Sequence, residues 1–247
     1  MKKGEVWKSS TLAEKYLTGV RGAIPMAKEQ LQIMLRIVRA ANVTSGPFLD
    51  IGCGDGILAA TILEQFPKMK GVCLDFSEPM IEAAKRKLVL NLQNLEFINF
   101  DYGDHRWFKK VENHEPFELI ISGFSIHHQP DKRKRELYRE IYELLAPGGL
   151  FLNTEHVSST TEWVKSIVDT YFVDELYKLH LAQDSSHTRE QIEKEYYTRT
   201  DKDANILAPV ETQCNWLRDI EYQDVDCYFK VFEFAIFGGR KPLKGIS

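Results

Sequence analysis

The sequence is poor in cysteine, and Cys53, Cys73, Cys214 and Cys227 form neither a CxxC pair nor a cluster at metal-site spacing. Free, reduced thiols in a cytoplasmic protein are the expectation. His180 and His187 have no cysteine near them, so no metal site is expected. A surplus of positive charge is also missing. The 32 basic and 36 acidic residues leave a net charge of −4, without the basic balance of a dedicated nucleic-acid binder. No apolar run approaches the roughly 18 residues of a membrane-spanning helix. Met1–Ser10 is polar, so no secretory signal is expected there. No internal repeat or low-complexity segment interrupts the 247 residues.

What the chain does have is alternation. Thr11 to Glu14 has capping-box spacing, and Leu31, Met34, Leu35 and Val38 recur at helical spacing, predicting a helix over about Met26–Ala41. Short β-prone runs follow at Phe48–Ile51, Gly71–Asp75, Leu95–Phe100, Phe117–Ser122 and Leu150–Thr154. Helical runs stand between them at Leu58–Phe66, Met80–Leu90 and Lys132–Leu145, the last ended by Pro147-Gly148-Gly149. Such alternation predicts βαβ units and a mostly parallel sheet. From Val157 to Arg218 the pattern turns helical and aromatic, with capping-box spacings at Ser159…Glu162 and Thr188…Gln191. Val225–Phe237 reads as two final strands. The expected fold is therefore α/β, a Rossmann-like, doubly wound sheet of seven strands with a helical cap inserted before the last two.

The chemistry concentrates after the first strand. Asp50-Ile51-Gly52-Cys53-Gly54-Asp55-Gly56 leads directly into a helix, where glycines let a ligand approach the backbone and the helix offers unpaired N–H groups. A dinucleotide fingerprint, G-x-G-x-x-G, would need a third glycine where Ile57 stands. The spacing is G-x-G-x-G instead, with Asp50 placed to repel a diphosphate and tolerate an ammonium group. Asp75 ends the next strand, 19 residues after Gly56, where a carboxylate can accept from both hydroxyls of a ribose. Phe76 can pack on an adenine face. Asp101-Tyr102 ends the third strand, where a carboxylate can accept from an adenine amino group.

From Asp50 to Glu155 this ordered set resembles the class I S-adenosylmethionine (SAM)-dependent methyltransferases. The resemblance rests on the Asp50–Gly56 loop, Asp75, Asp101, the Phe117–Ser122 strand and the Leu144–Gly149 turn. It implies SAM as cofactor, with S-adenosylhomocysteine as product. It also implies a cofactor site made of Asp50, Gly52, Cys53, Gly54, Asp75, Phe76, Asp101, Tyr102 and Ser122. A looser similarity, over Ala13–Pro25, Val210–Thr212 and Tyr228–Lys241, points to the carboxy-SAM synthase branch that serves tRNA wobble-uridine modification. By that resemblance, the branch's carboxylate-holding arginine falls at Trp216 and its cofactor-contacting tyrosine near Ala27. Tryptophan cannot pair with a carboxylate, so plain SAM is the expected ligand.

The methyl acceptor is expected to be a small molecule, with a carboxy-SAM synthase-like or tRNA-modifying enzyme, or a SAM-binding protein without catalysis, as the alternatives. His127 and His128 follow the fourth strand and Glu155 ends the fifth, at the edge of the sheet where ligands bind, so these three are the candidate catalytic residues. The aromatic stretch is expected to lid the acceptor pocket, Trp163 and Tyr197 included. Lys132-Arg133-Lys134-Arg135 reads as a solvated helix face rather than a phosphate-binding patch. Four regions are expected: N-terminal helices over the cofactor (1–45), the SAM-binding core (46–156), the cap (157–218) and the closing strands (219–247).

Overall fold

The computed structural model describes residues 9, 11, 20–183, 185–199 and 201–243. The Thr11–Glu14 capping box and most of the Ala13–Pro25 similarity lie outside the described residues. Seven strands form one sheet: β1 (Phe48–Ile51), β2 (Gly71–Asp75), β3 (Leu95–Asn99), β4 (Phe117–Gly123), β5 (Leu145–His156), β6 (Gln223–Val231) and β7 (Phe234–Arg240). Their order is β3-β2-β1-β4-β5-β7-β6. The first five run parallel, and β7 inserts antiparallel between β5 and β6. Every residue of β1 and β2 is buried, as strands covered on both faces must be.

Among the described residues, seven α-helices of nine or more residues surround the sheet: α1 (Ala27–Ala40), α2 (Ile57–Gln65), α3 (Glu78–Lys87), α4 (Asp131–Leu144), α5 (Glu162–Ala182), α6 (Arg189–Thr198) and α7 (Val210–Asp219). Successive strand residues point to opposite faces, which divides the core in two. Phe48, Cys73, Leu119 and Ile121 pack under α1, α2 and α3. Leu49, Ile51, Ile120 and Phe151 pack under α4 and α7. A third, smaller cluster joins the cap to the sheet, where Phe172, Val173 and Tyr196 of α5 and α6 meet Ala23 and Phe234.

The structure departs from the sequence reading at several points, each with a local cause. α3 starts at Glu78, because Pro79 fits a first helical turn, and stops at Lys87; Val89–Asn94 continues as a 3-10 helix. β5 starts at Leu145, which pairs with Phe117 ahead of a register shift, so the Pro147-Gly148-Gly149 signal lies inside the strand. The N-cap of α5 is Thr161, whose hydroxyl accepts from the Val164 amide; Ser159 instead gives its amide to Glu233. The Thr188–Gln191 box forms as read. The basic run of α4 is only partly solvated. Arg133 is buried and donates to Glu140 and to the Tyr102 carbonyl. Lys134 is fully buried and donates to Asp131 and the Ile206 carbonyl. Within the stretch 157–218, α7 leaves the cap and packs on β6, β7 and α4.

Candidate functional site

The strand order reverses between β1 and β4, so a crevice opens at their carboxyl ends. Loop 52–56 crosses it. Gly52 and Gly54 both take positive φ, 66° and 54°, which glycine adopts without penalty. Their lack of a side chain serves different neighbours. A Cβ on Gly52 would lie 1.8 Å from Ser125 Oγ, whereas one on Gly54 would meet no atom within 4 Å. Gly54 is thus where a ligand can reach the backbone. Asp75, at the end of β2, closes the loop: its Oδ2 accepts from the Gly54 amide at 2.9 Å and its Oδ1 from the Ser77 amide at 2.8 Å. Burial raises its carboxyl to about 6 against these bonds. Asp50 is buried below the loop and accepts from the Ala59 amide in the first turn of α2 at 3.2 Å.

A cleft of about 1080 Å³, its open mouth included, runs past this loop. Gly52, Gly54, Asp75 and Phe76 line one side, and Phe124, Ser125, His127 and His128 the other. The cap contributes Val168, Phe172, Tyr196 and Arg199, the β6–β7 turn contributes Glu233, and β7 contributes its first residue, Phe234. A second cleft of about 660 Å³ shares Gly52, Gly54 and Phe124 with the first and is lined by Asp50, Cys53, Asp55 and Ala27.

His127 lines the larger cleft and is held from behind by Glu155. Glu155 is fully buried. Its Oε1 faces His127 Nδ1 at 2.5 Å and accepts from the His156 amide at 2.9 Å. Its Oε2 accepts from the His127 amide at 3.0 Å and from Asn153 Nδ2 at 3.3 Å. Burial raises the Glu155 carboxyl to about 7, although the His156 amide, His128 and Asn153 all favour its charge. Burial, then His156 and Lys134, push His127 well below the usual histidine range. Burial and His127 push His128 down to about 3, and His128 Nδ1 faces the Ala204 carbonyl at 3.1 Å. A carbonyl only accepts, so Nδ1 of His128 carries the proton and Nε2 the lone pair. Burial thus holds both imidazoles neutral, and the Asn205 side chain is a further hydrogen-bond partner of His127.

Three residues read as cofactor ligands are absent from the walls of both clefts. Asp101 accepts from the Gly103 amide at 2.7 Å. Tyr102 is buried, its hydroxyl at 2.7 Å from both the carbonyl and the hydroxyl of Ser125. Ser122 is fully buried and donates to the Ile51 carbonyl, tying β4 to β1. The cleft takes Gly123, Phe124 and Ser125 from the end of β4 instead, because Ser122 points into the sheet. Trp163 and Tyr197 are exposed on the cap and line neither cleft, while Phe172 and Tyr196 face in. Trp216 is buried under Arg135, whose guanidinium lies 5.1 Å from its ring centre, away from both clefts. The expectation that Trp216 occupies the place of a ligand-binding cation is therefore corrected. The cleft does contain an arginine, Arg199, 4.4 Å over the Tyr196 ring and 3.4 Å from Asp201.

Residues 48–149 match a family described as a methyltransferase domain. A demethylmenaquinone methyltransferase of Leptospira interrogans is 31% identical over 124 residues, 50% of this chain and 48% of that protein. The chain thus aligns to about half the length of that relative. A carboxy-S-adenosyl-L-methionine synthase of Nautilia profundicola is 21% identical over 218 residues, 87% of this chain and 86% of that protein. The fold is similar to that of human N-acetylserotonin methyltransferase solved in complex with SAM, with a TM-score of 0.59 at 14% identity, covering 96% of this chain and 58% of that one.

Proposed function

We propose that this chain, a class I SAM-dependent methyltransferase, transfers a methyl group to a small acceptor held between loop 52–56 and the α5–α6 cap. One observation carries the reading: Asp75 and the glycine loop share a single cleft with His127, which the buried Glu155 holds from behind. The residues present fit the cofactor. The Asp75 carboxylate accepts from the Gly54, Ser77 and Phe76 amides and still has a lone pair for a ribose hydroxyl. Gly54 leaves space a side chain would fill, and Phe76 offers a ring beside Asp75. Asp50 gives the second cleft a carboxylate suited to an ammonium group; Asp55 also lines it but is paired with Lys87.

SAM supplies a methyl group already activated by its sulfonium. The chain supplies position, dryness and a proton acceptor. With Nδ1 held by Glu155 and the Asn205 side chain as a further partner, His127 stands in the cleft as the base for an acceptor O–H or N–H that takes the place of Asn205. Glu155 keeps the imidazole in place. The cap's apolar side chains Val168 and Phe172 keep water from the acceptor. Calorimetry tests the cofactor reading: S-adenosylhomocysteine is expected to bind in the micromolar range and NAD not comparably. Tight NAD binding with none for S-adenosylhomocysteine would overturn it.

Arg199 favours a second reading, in which an anionic cofactor such as carboxy-SAM occupies the cleft with its extra carboxylate on this guanidinium. Competition between SAM and carboxy-SAM separates the two. The Asp201 carboxylate already beside Arg199 predicts that plain SAM binds at least as well. A clear preference for carboxy-SAM, lost in Arg199→Ala, would make the second reading the correct one.

A further inference from the structure

One residue of α4 stands where packing alone would place an apolar side chain. The helix buries Leu137, Tyr138, Ile141 and Leu144 along one face. Lys134 precedes Leu137 by three positions, Tyr138 by four and Ile141 by seven, so it lies on that same stripe. It is fully buried. A lysine is almost never buried so completely without partners, and an apolar residue of similar volume often serves stability as well or better. Packing therefore gives no reason for an ammonium group at this position.

Its surroundings supply one. Lys134 donates to Asp131 Oδ1 at 2.7 Å and to the Ile206 carbonyl. Asp131 is half-exposed and shares its charge with water. Ile206 in turn gives its amide to the His127 carbonyl at 2.9 Å. The two residues before it meet the histidines as well. The Ala204 carbonyl faces His128 Nδ1 at 3.1 Å, and the Asn205 side chain is hydrogen-bonded to His127. Segment 204–206 is thus clasped to both histidines, and Lys134 fixes its far end. The same ammonium acts through the low-dielectric interior on Glu155 and His127, favouring the carboxylate and the neutral imidazole. The groups around Glu155 are His127 and His128 after β4, Tyr102 after β3, Asn153 and His156 of β5, and Tyr138 and Lys134 of α4. Among them Lys134 brings the one lysine or arginine charge.

We propose that Lys134 is a positioning residue for the His127–Glu155 pair: its ammonium clamps the Ile206 carbonyl, which holds Asn205 against His127, and its charge stabilises the Glu155 carboxylate. This rests on the reading of His127 as the base of the transfer, and it adds to that site a residue that lines neither cleft. The clamp also shapes how an acceptor enters. An acceptor takes the place of Asn205 on His127, and with Ile206 fixed by Lys134 the group that turns away is the Asn205 side chain. The backbone of 204–206 stays in place, so the wall of the cleft is preserved while the base changes partner.

The test uses the whole protein and two variants, and it needs no acceptor. The titration of Glu155 is followed by the NMR signal of its carboxyl carbon, assigned with Glu155→Gln, and the Ile206 amide is followed by hydrogen exchange. Lys134→Met removes the cation and keeps an unbranched stem. It is expected to raise the Glu155 midpoint by about half a pH unit or more and to speed exchange at the Ile206 amide about tenfold. Asp131→Asn keeps the ammonium and removes its counter-charge. It is expected to move the Glu155 midpoint the opposite way, by about 0.3 pH units, with Ile206 exchange within about threefold of native. A lysine that only fills space would give no such opposed shifts. Glu155 midpoints equal within about 0.1 units in all three proteins, or moved in the same direction by both variants, overturn the proposal. Should Lys134→Met fail to fold, Asp131→Asn decides alone, and a midpoint that is unmoved or raised there overturns it. Calorimetry on the same proteins keeps the two readings apart. S-adenosylhomocysteine is expected to bind both variants within about twofold of native, and its failure to bind the native protein overturns the methyltransferase reading whatever Glu155 does.

Discussion

Asp75 is the residue on which cofactor affinity should turn. Asp75→Ala removes a charge-assisted acceptor and is expected to weaken SAM binding by about 2–4 kcal/mol. Calorimetry on the folded variant measures this, and unchanged affinity would contradict the role. The carboxyl, raised to about 6 by burial, adds a pH signature. Ribose hydroxyls favour its ionised form, so the bound protein has the lower carboxyl pKa. Affinity is therefore full above about pH 6 and falls as pH drops through it, with proton release on binding at pH 6. A pH-independent affinity between 5 and 7 would count against the contact. Glu155 governs the second residue-scale prediction. His127 and His128 are already neutral at physiological pH, so the ionisation left to complete is that of Glu155, raised to about 7. Turnover is expected to rise with pH through about 7. Glu155→Gln should remove that rise and cost roughly 10²-fold or more, the usual span of general-base contributions. A profile identical in native and variant protein would dismiss the pair as catalytic.

Among the elements, α6 owes its start to a local motif. The Thr188 hydroxyl accepts from the Gln191 amide and Gln191 answers the Thr188 amide. Thr188→Ala is expected to cost about 1 kcal/mol, read as a Tm lower by roughly 2–4 °C. This box was legible because both its partners lie within one turn. The same holds for the glycine loop and for every strand of the parallel core, where a run of buried residues or a fixed spacing carries the signal. Legibility fails where a partner is remote in sequence. Nothing near Lys134 announces the Ile206 carbonyl that holds it, so a buried ammonium reads as a solvated one. Ser122 ends a strand as a ligand-binding residue would, yet its hydroxyl is turned to Ile51 across the sheet. In α5 the aromatics that face the cleft and those that face out share one helical pattern. Only the β6–β7 turn, which brings Phe234 against Phe172, separates them. Gly52, Gly54, Asp75 and Phe76 lie on consecutive loops, so the wall they share was legible; the opposite wall is assembled from distant segments and was not.

At the scale of the whole molecule, ligand binding and folding are linked. Saturation with S-adenosylhomocysteine at 100 times its Kd is expected to stabilise the protein by about 2.7 kcal/mol, since the site exists only in the folded state. That corresponds to a rise in Tm of roughly 5–10 °C, measurable by scanning calorimetry, with NAD producing no comparable shift. The insertion of β7 between β5 and β6 has a consequence for biosynthesis. β5 is complete at His156, but the strand that pairs with its far edge begins only at Phe234. A ribosome adding about 5–20 residues per second leaves that edge without its neighbour for roughly 4–16 s, while the cap is being made. The buried residues of β5 between Leu150 and Glu155 are then an open template for pairing with another nascent chain. This protein should therefore lean on chaperones during synthesis more than its finished sheet suggests. Slowing translation over 157–233 should lower the soluble yield without altering the stability of the molecules that complete the fold.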